Sequence, residues 1–285
     1  MDLTALDYLR AFGLTAFAGL STGIGALVVF RKKPINQHLI SGSLGFSAGV
    51  MIYISFVEML RGSFATLNNI YGERGDLFAV MAFFAGILFS MLIDILIPEA
   101  ENPHEMRGVE EVSYDPHIEE QPEASSVSVV ERKYGNHQLK RVGLVSAIAI
   151  MTHNLPEGLA TFMGALVDPA LGVSIAIAVA IHNIPEGIAV AVPLYAGTGD
   201  KWKSFLVALF SGLAEPVGAL IGFLVFRPFL NEALMGLVFA AVAGIMVYIS
   251  LDELLPSAEK QGDHHIVIGG LIAGMAIMAI SLLIL

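Results

Sequence analysis

The chain has no cysteine, which removes disulfides, thiolate metal ligands and cysteine nucleophiles together. Charge is scarce too. Only 14% of the 285 residues are Asp, Glu, Lys or Arg, and 15 Lys and Arg face 26 Asp and Glu, a formal net charge of −11. That sign excludes nucleic acid as a partner, because a binder of phosphate backbones needs a basic surface. What is abundant is apolar: 55% of residues are hydrophobic and the mean hydropathy is +0.73. No soluble class has that balance, so the bilayer is the expected solvent. The 29 Gly and 12 Pro suit a helical membrane protein, in which small residues let helices approach closely and interrupted helices line cavities.

Apolar runs long enough to cross a bilayer fall at roughly 11–30, 39–60, 77–97, 142–167, 171–195, 204–226, 234–255 and 266–285, which predicts eight membrane spans. The first run lacks a basic leader before it and stops at Arg31-Lys32-Lys33, so it reads as a span rather than a cleaved signal peptide. Counted on alternate sides, Lys and Arg number eleven on one face and four (Arg10, Arg61, Arg74, Arg227) on the other. The positive-inside rule then puts both termini outside the cytoplasm in a multi-pass plasma (inner) membrane protein. The one long connection, 99–141, holds Glu, Pro, Ser and three His with few apolar residues, a composition that predicts a disordered cytoplasmic loop.

The chain also repeats itself. Residues 48–60, AGVMIYISFVEML, match 243–255, AGIMVYISLDELL, at 8 of 13 positions, an offset of 195. Residues 17–30 match 210–223 at 7 of 14, an offset of 193. Spans 1 and 2 thus correspond to spans 6 and 7, and by extension span 3 to span 8. Five spans separate each pair, an odd number, so the copies have opposite orientation. Such an inverted repeat is the signature of many alternating-access transporters, with the binding site near the midplane.

Spans 4 and 5 carry near copies of one motif, His153-Asn154-Leu155-Pro156-Glu157-Gly158 and His182-Asn183-Ile184-Pro185-Glu186-Gly187. Positions i and i+4 share a helix face, so His153 is expected to stack with Glu157 and His182 with Glu186. Two imidazoles and two carboxylates from neighbouring helices suit Zn²⁺, Fe²⁺, Mn²⁺ or Co²⁺, and Asn154 and Asn183 can add carbonyl oxygens. Pro156, Pro185 and Pro216 cannot donate to the carbonyls of Thr152, Ile181 and Gly212, which predicts three kinked helices presenting Glu157, Glu186 and Glu215 at similar depth. A carboxylate at the bilayer centre costs about 2.5–3.5 kcal/mol on insertion scales, and spans 4, 5 and 6 contain no Lys or Arg. The acids must be protonated, hydrated or bound to cations, and the adjacent His favour a transition metal.

Met51, Ser55 and Glu58 make one stripe on span 2, and Met246, Ser250 and Glu253 make its copy on span 7. Because Glu58 and Glu253 fall near the ends of oppositely oriented spans, Met51, Ser55 and Glu58 are expected at one mouth of a cation path and Asp252 and Glu253 at the other. Core packing is the ordinary reading of the two methionines.

The twin His-Asn-x-Pro-Glu-Gly motifs, 29 residues apart, make the chain resemble the ZIP (Zrt/Irt-like) family of divalent metal transporters, in its bacterial branch, over all eight spans. The resemblance implies an all-α integral membrane protein with eight transmembrane helices arranged 3+2+3, helices 1–3 related to 6–8 and helix 4 to helix 5. It implies import of Zn²⁺, or of Fe²⁺, Mn²⁺, Co²⁺ or Cd²⁺, into the cytoplasm through a His/Asn/Glu site that is often binuclear. Residue by residue, the ligands would be His153, Asn154, Glu157, His182, Asn183 and Glu186, with Glu215 completing the site. Gly187 stands where other branches have a polar residue, which leaves metal preference open. The chain divides accordingly into 1–98, the loop 99–141, the 142–196 core and 197–285. Divalent metal ions and the bilayer are the expected partners, a homodimer is the assembly to consider, and no organic cofactor is implied. Two other readings share the ligands: an intramembrane zinc-dependent hydrolase, which needs a substrate groove but no inverted repeat, and a metal-selective channel, which lacks two alternately closed states. Deleting residues 105–130 should leave folding and metal uptake intact, because the segment lacks the apolar content to support a core. Loss of either in gel filtration or uptake assays would refute that reading.

Overall fold

A computed structural model describes residues 4–31, 37–96, 136–229 and 231–284, and these form helices and turns with no strand among them. In chain order the helices are α1 (Ala5–Phe30), α2 (His38–Tyr71), α3 (Arg74–Ile95), α4 (Asn136–Val167), α5 (Pro169–Thr198), α6 (Lys201–Phe226), α7 (Glu232–Lys260) and α8 (His264–Ile284). Among the described residues, every one of these except α4 is long and apolar enough to cross a membrane, and α4 spans 32 residues while carrying Lys140, Arg141 and its polar motif. The protein is an all-helical integral membrane protein.

Local chemistry sets the ends. Thr4 and Asp7 form a reciprocal capping box on α1, and Asp168, Asp200 and Asn231 accept backbone N–H groups at the starts of α5, α6 and α7. Pro169 occupies the first turn of α5, where its missing N–H costs nothing, and Gly199 closes that helix in the left-handed conformation, φ 68°. Both α4 and α5 continue as helix through Pro156 and Pro185, whereas α6 is interrupted at Leu213, just before Glu215-Pro216.

Two boundaries differ from expectation. The helix of span 2 runs eleven residues past Leu60, to Tyr71, because the polar stretch from Arg61 is amphipathic rather than loop-like. Span 4 starts at Asn136, inside the segment read as loop; residues 97–135 lie outside the described residues. In both α2 and α7 the backbone widens to a π turn, at Ser55–Leu60 and Ser250–Leu254.

Packing is organised around α5, which lies against α1, α2, α4 and α6, while α2 pairs with α8 and α3 with α7. The pairs are held at backbone distance by glycine. A Cβ on Gly187 of α5 would strike the Thr22 carbonyl of α1, and one on Gly158 of α4 would strike the Glu215 carbonyl of α6. Gly25 meets the Ile184 carbonyl as Gly218 meets that of Leu155, and Gly19 and Gly212 each meet the other's carbonyl. In the outer pairs Gly49 meets Leu271 as Gly244 meets Phe83, and Gly274 meets Phe46 as Gly86 meets Ala241. Every one of these contacts occurs twice, under the sequence offsets of 193, 195 and 29 and a further offset of 188 that joins α3 to α8. In lipid, where apolar burial gives no driving force between helices, such close approach supplies the association energy.

Gly187→Val should therefore prevent stable assembly, while Gly13→Ala, at a site with open space around it, should leave it unchanged. Thermal unfolding of the purified protein in mild detergent, followed by circular dichroism, checks this: equal midpoints for the two variants would contradict the packing described.

Candidate metal-transport site

α4 and α5 cross with their motifs face to face, and the seven side chains expected at a metal site are all brought together and buried. Exposure is 5% for His153, 2% for Glu157 and nil for Asn154, His182, Asn183, Glu186 and Glu215. The pairing between them differs from expectation. His182 Nε2 lies 2.8 Å from Glu157 Oε1, and His153 Nε2 lies 3.5 Å from Glu186 Oε1. Each imidazole thus faces the carboxylate of the other motif rather than the one four residues on in its own helix, because both side chains of a motif point across the same helix interface.

The asparagines act as fasteners. Asn154 donates its amide N–H to the Ser211 carbonyl of α6 at 3.1 Å, and Asn183 donates to the Ala18 carbonyl of α1 at 3.0 Å. Ala18 and Ser211 are themselves equivalent positions of the repeat. Asn183 also donates to Glu215 Oε1, which ties the acid of α6 to the α5 motif. With the N–H groups spent on backbone, the Oδ1 atoms of both asparagines have no hydrogen-bond partner, and neither do Glu215 Oε2, both oxygens of Glu157 and Glu186, or the ring nitrogens of both histidines. The His–Glu pairs lie within ion-pair distance without meeting hydrogen-bond geometry. Buried acceptors left in this state each carry a desolvation cost of about 1–3 kcal/mol, and a divalent cation is the ligand that satisfies oxygen and imidazole nitrogen acceptors at once. Among the described residues no three His, Asp or Glu groups converge into a formed metal cluster.

The stripe on α2 and α7 divides. Met51 and Met246 are buried in the core, and the Ser55 and Ser250 hydroxyls donate back to the Met51 and Met246 carbonyls at 2.6 and 2.7 Å. Glu58 is half-buried on the α2 π turn. Glu253 also lies close to the motif of α4: its Oε2, on the π turn of α7, stands 3.9 Å from His153 Nδ1. Glu253 and His153 line a cleft of ≈ 40 Å³ together with Asp94, Thr152, Pro156, Ile245 and Tyr248, room for roughly three waters. The Tyr248 hydroxyl donates to Asp94 Oδ2 at 3.4 Å, and Asp252 flanks the same hydroxyl. Asp94, which reads from sequence as an ordinary interface residue, and Tyr248 are therefore cleft residues. The recurrence of Tyr248 in the copied YIS segment was the one signal for it.

The model of the ZIP Zinc transporter family matches residues 6–282. Among curated proteins, the zinc transporter ZupT of Chlorobium chlorochromatii is 53% identical over 98% of both chains. The protein of the same name from Nitratidesulfovibrio vulgaris is 51% identical over 98% of both, and that of Corynebacterium glutamicum is 52% identical over 97% of this chain and 99% of its own. The family is one of transporters, so the hydrolase reading is set aside. With a family model over nearly the whole length, and relatives about half identical from end to end, the chain belongs to the ZIP zinc transporter family.

Proposed function

We propose that the protein imports divalent transition metal, Zn²⁺ first, into the cytoplasm through the buried cluster of His153, Asn154, Glu157, His182, Asn183, Glu186 and Glu215. The observation that carries this is a set of carboxylate, amide and imidazole acceptors, deep in the helical core, on apolar spans (142–167, 171–195 and 204–226) that hold no Lys or Arg, and that the protein's own hydrogen bonds leave unsatisfied. The relatives named zinc transporters support Zn²⁺ as cargo. Fe²⁺, Mn²⁺, Co²⁺ and Cd²⁺ suit the same donors. Seven donor side chains exceed the four ligands of one tetrahedral ion, which supports room for two.

The same reading takes the eight helices as a 3+2+3 inverted repeat with both termini outside and the 99–141 segment in the cytoplasm. The doubled glycine contacts and the doubled Asn-to-carbonyl bonds support the repeat, and the Lys/Arg bias supports the orientation. On that orientation the cleft beside His153 and Glu253 faces the cytoplasm, and a carrier rather than a channel is favoured because the second face of the cluster is closed around the fully buried His182.

Uptake into proteoliposomes, read with an internal fluorescent Zn²⁺ reporter, tests the assignment. Wild-type uptake should saturate, and Glu157→Ala and Glu186→Ala should each lower it at least a hundredfold in protein that still runs as a single species. Normal uptake by either variant refutes the site, and a rate that never saturates favours the channel.

Acid should inhibit. His182 Nε2 stands 2.8 Å from Glu157 Oε1, and a proton held on that nitrogen would have to leave before metal could take it. Protonation thus competes with metal, and uptake should fall as pH drops from about 7.5 to 5.5. Zinc binding in weak buffer should release protons, measured with a pH dye; uptake that rises steadily with acid would show these imidazoles are not the ligands.

A further inference from the structure

The cluster is built from paired elements, yet one of its contacts has no partner. Glu253, on the π turn of α7, stands 3.9 Å from His153 Nδ1. Its equivalent through the copied segment is Glu58, on the π turn of α2, and the equivalent of His153 through the twin motifs is His182. The Glu58 and His182 pair is not made. Instead α2 meets α5 at a different level: the Ser47 hydroxyl donates to the His182 carbonyl at 3.3 Å, eleven residues before Glu58. His182 is sealed while His153 borders the cleft.

We propose that this asymmetry is one of two mirror arrangements, and that in the opposite-facing state Glu58 takes against His182 the place Glu253 holds here against His153, while Glu253 withdraws. Glu58 and Glu253 are then alternate positioning acids, each holding the imidazole on the open side of the cluster. Two features beyond sequence equivalence support it. Both acids sit on the π turns, where a widened backbone lets one helix change register without breaking its hydrogen-bond ladder. Both π turns open with a buried serine whose hydroxyl returns to the carbonyl four residues back, so the two cradles are built alike. The exchange requires α2 to shift its level against α5 from Ser47 toward Glu58, and α7 to make the reverse shift against α4. The inference rests on the inverted-repeat carrier reading above.

The natural absence of cysteine permits a direct test. Thr152 and Ile249 line the cleft together, and their equivalents under the repeat are Ile181 and Ile54. In proteoliposomes, Thr152→Cys/Ile249→Cys should join readily with a short bifunctional thiol reagent. Ile181→Cys/Ile54→Cys should join only in the fraction facing the other way, and each cross-link should stop Zn²⁺ uptake. In parallel, Glu58→Gln should cut uptake about tenfold with equilibrium Zn²⁺ binding unchanged, and should lower the Ile54/Ile181 cross-linking yield in the triple variant, with Glu58→Asp restoring both. If wild-type uptake is absent, the transport reading itself fails. If uptake is normal and the Thr152/Ile249 pair joins while the Ile54/Ile181 pair never does, or if Glu58→Gln is silent in uptake, only this proposal is overturned.

Discussion

Three carboxylates stand in the middle of a bilayer protein with no Lys or Arg beside them on their spans, and most other features of the structure answer that constraint. At about 2.5–3.5 kcal/mol each on insertion scales, Glu157, Glu186 and Glu215 would together consume much of the stability of an ordinary domain. The protein lowers that cost without cancelling the negative charge. Imidazoles from the copied motif face Glu157 and Glu186, and an amide N–H holds Glu215. Such partners can be given up again. A lysine or arginine would have satisfied the acids permanently and left nothing for a cation to do.

The exchange of partners between motifs depends on how closely the four inner helices approach. Gly158 and Gly187 bring α4 and α5 against the backbones of α6 and α1, and only at that spacing do Asn154 and Asn183 reach the carbonyls of Ser211 and Ala18. Those two bonds aim the amide oxygens inward. The glycines that close the packing and the asparagines that orient the site thus belong to one device, which explains why each motif ends in glycine directly after its glutamate. A side chain at either position would push the helices apart and leave the asparagine N–H groups buried without partners, so that packing and ligand geometry fail together.

Much of this was legible in the residues. The apolar runs located every long helix, the repeats placed equivalent residues at equivalent contacts, and the two motifs with Glu215 marked the buried cluster. What escaped follows from what each rule describes. The i, i+4 rule concerns one helix, so it paired His153 with Glu157 when the partner across the interface was Glu186. Hydropathy finds the apolar part of a helix and stops at Arg61, so α2 looked eleven residues shorter than it is. The repeat put Glu253 near the end of its span, but its closeness to His153 is a contact between helices, which no periodicity within one helix describes. No pattern of residue types announces a π turn. Met51 and Met246 kept the periodicity of a binding stripe, but that periodicity also describes core, and core is what they are.

The internal His–Glu pairs also bear on how tightly the site holds its cargo. On the proposed site, a metal ion that binds Glu157 and His182 must first part them, and likewise Glu186 and His153. The free energy of those pairs is subtracted from the intrinsic affinity of the donor set, and that affinity follows ligand chemistry, in which Zn²⁺ outranks Mn²⁺ and Fe²⁺ whatever the cell requires. A bare cluster of imidazoles and carboxylates in a low-dielectric interior would bind Zn²⁺ too tightly to release it. Self-pairing of the proposed ligands would weaken binding without removing a ligand, and the pairs would re-form as the metal leaves. On the proposed site, the buried pairs that lower the cost of carrying acids through a membrane would thus also bring the affinity down toward what transport needs.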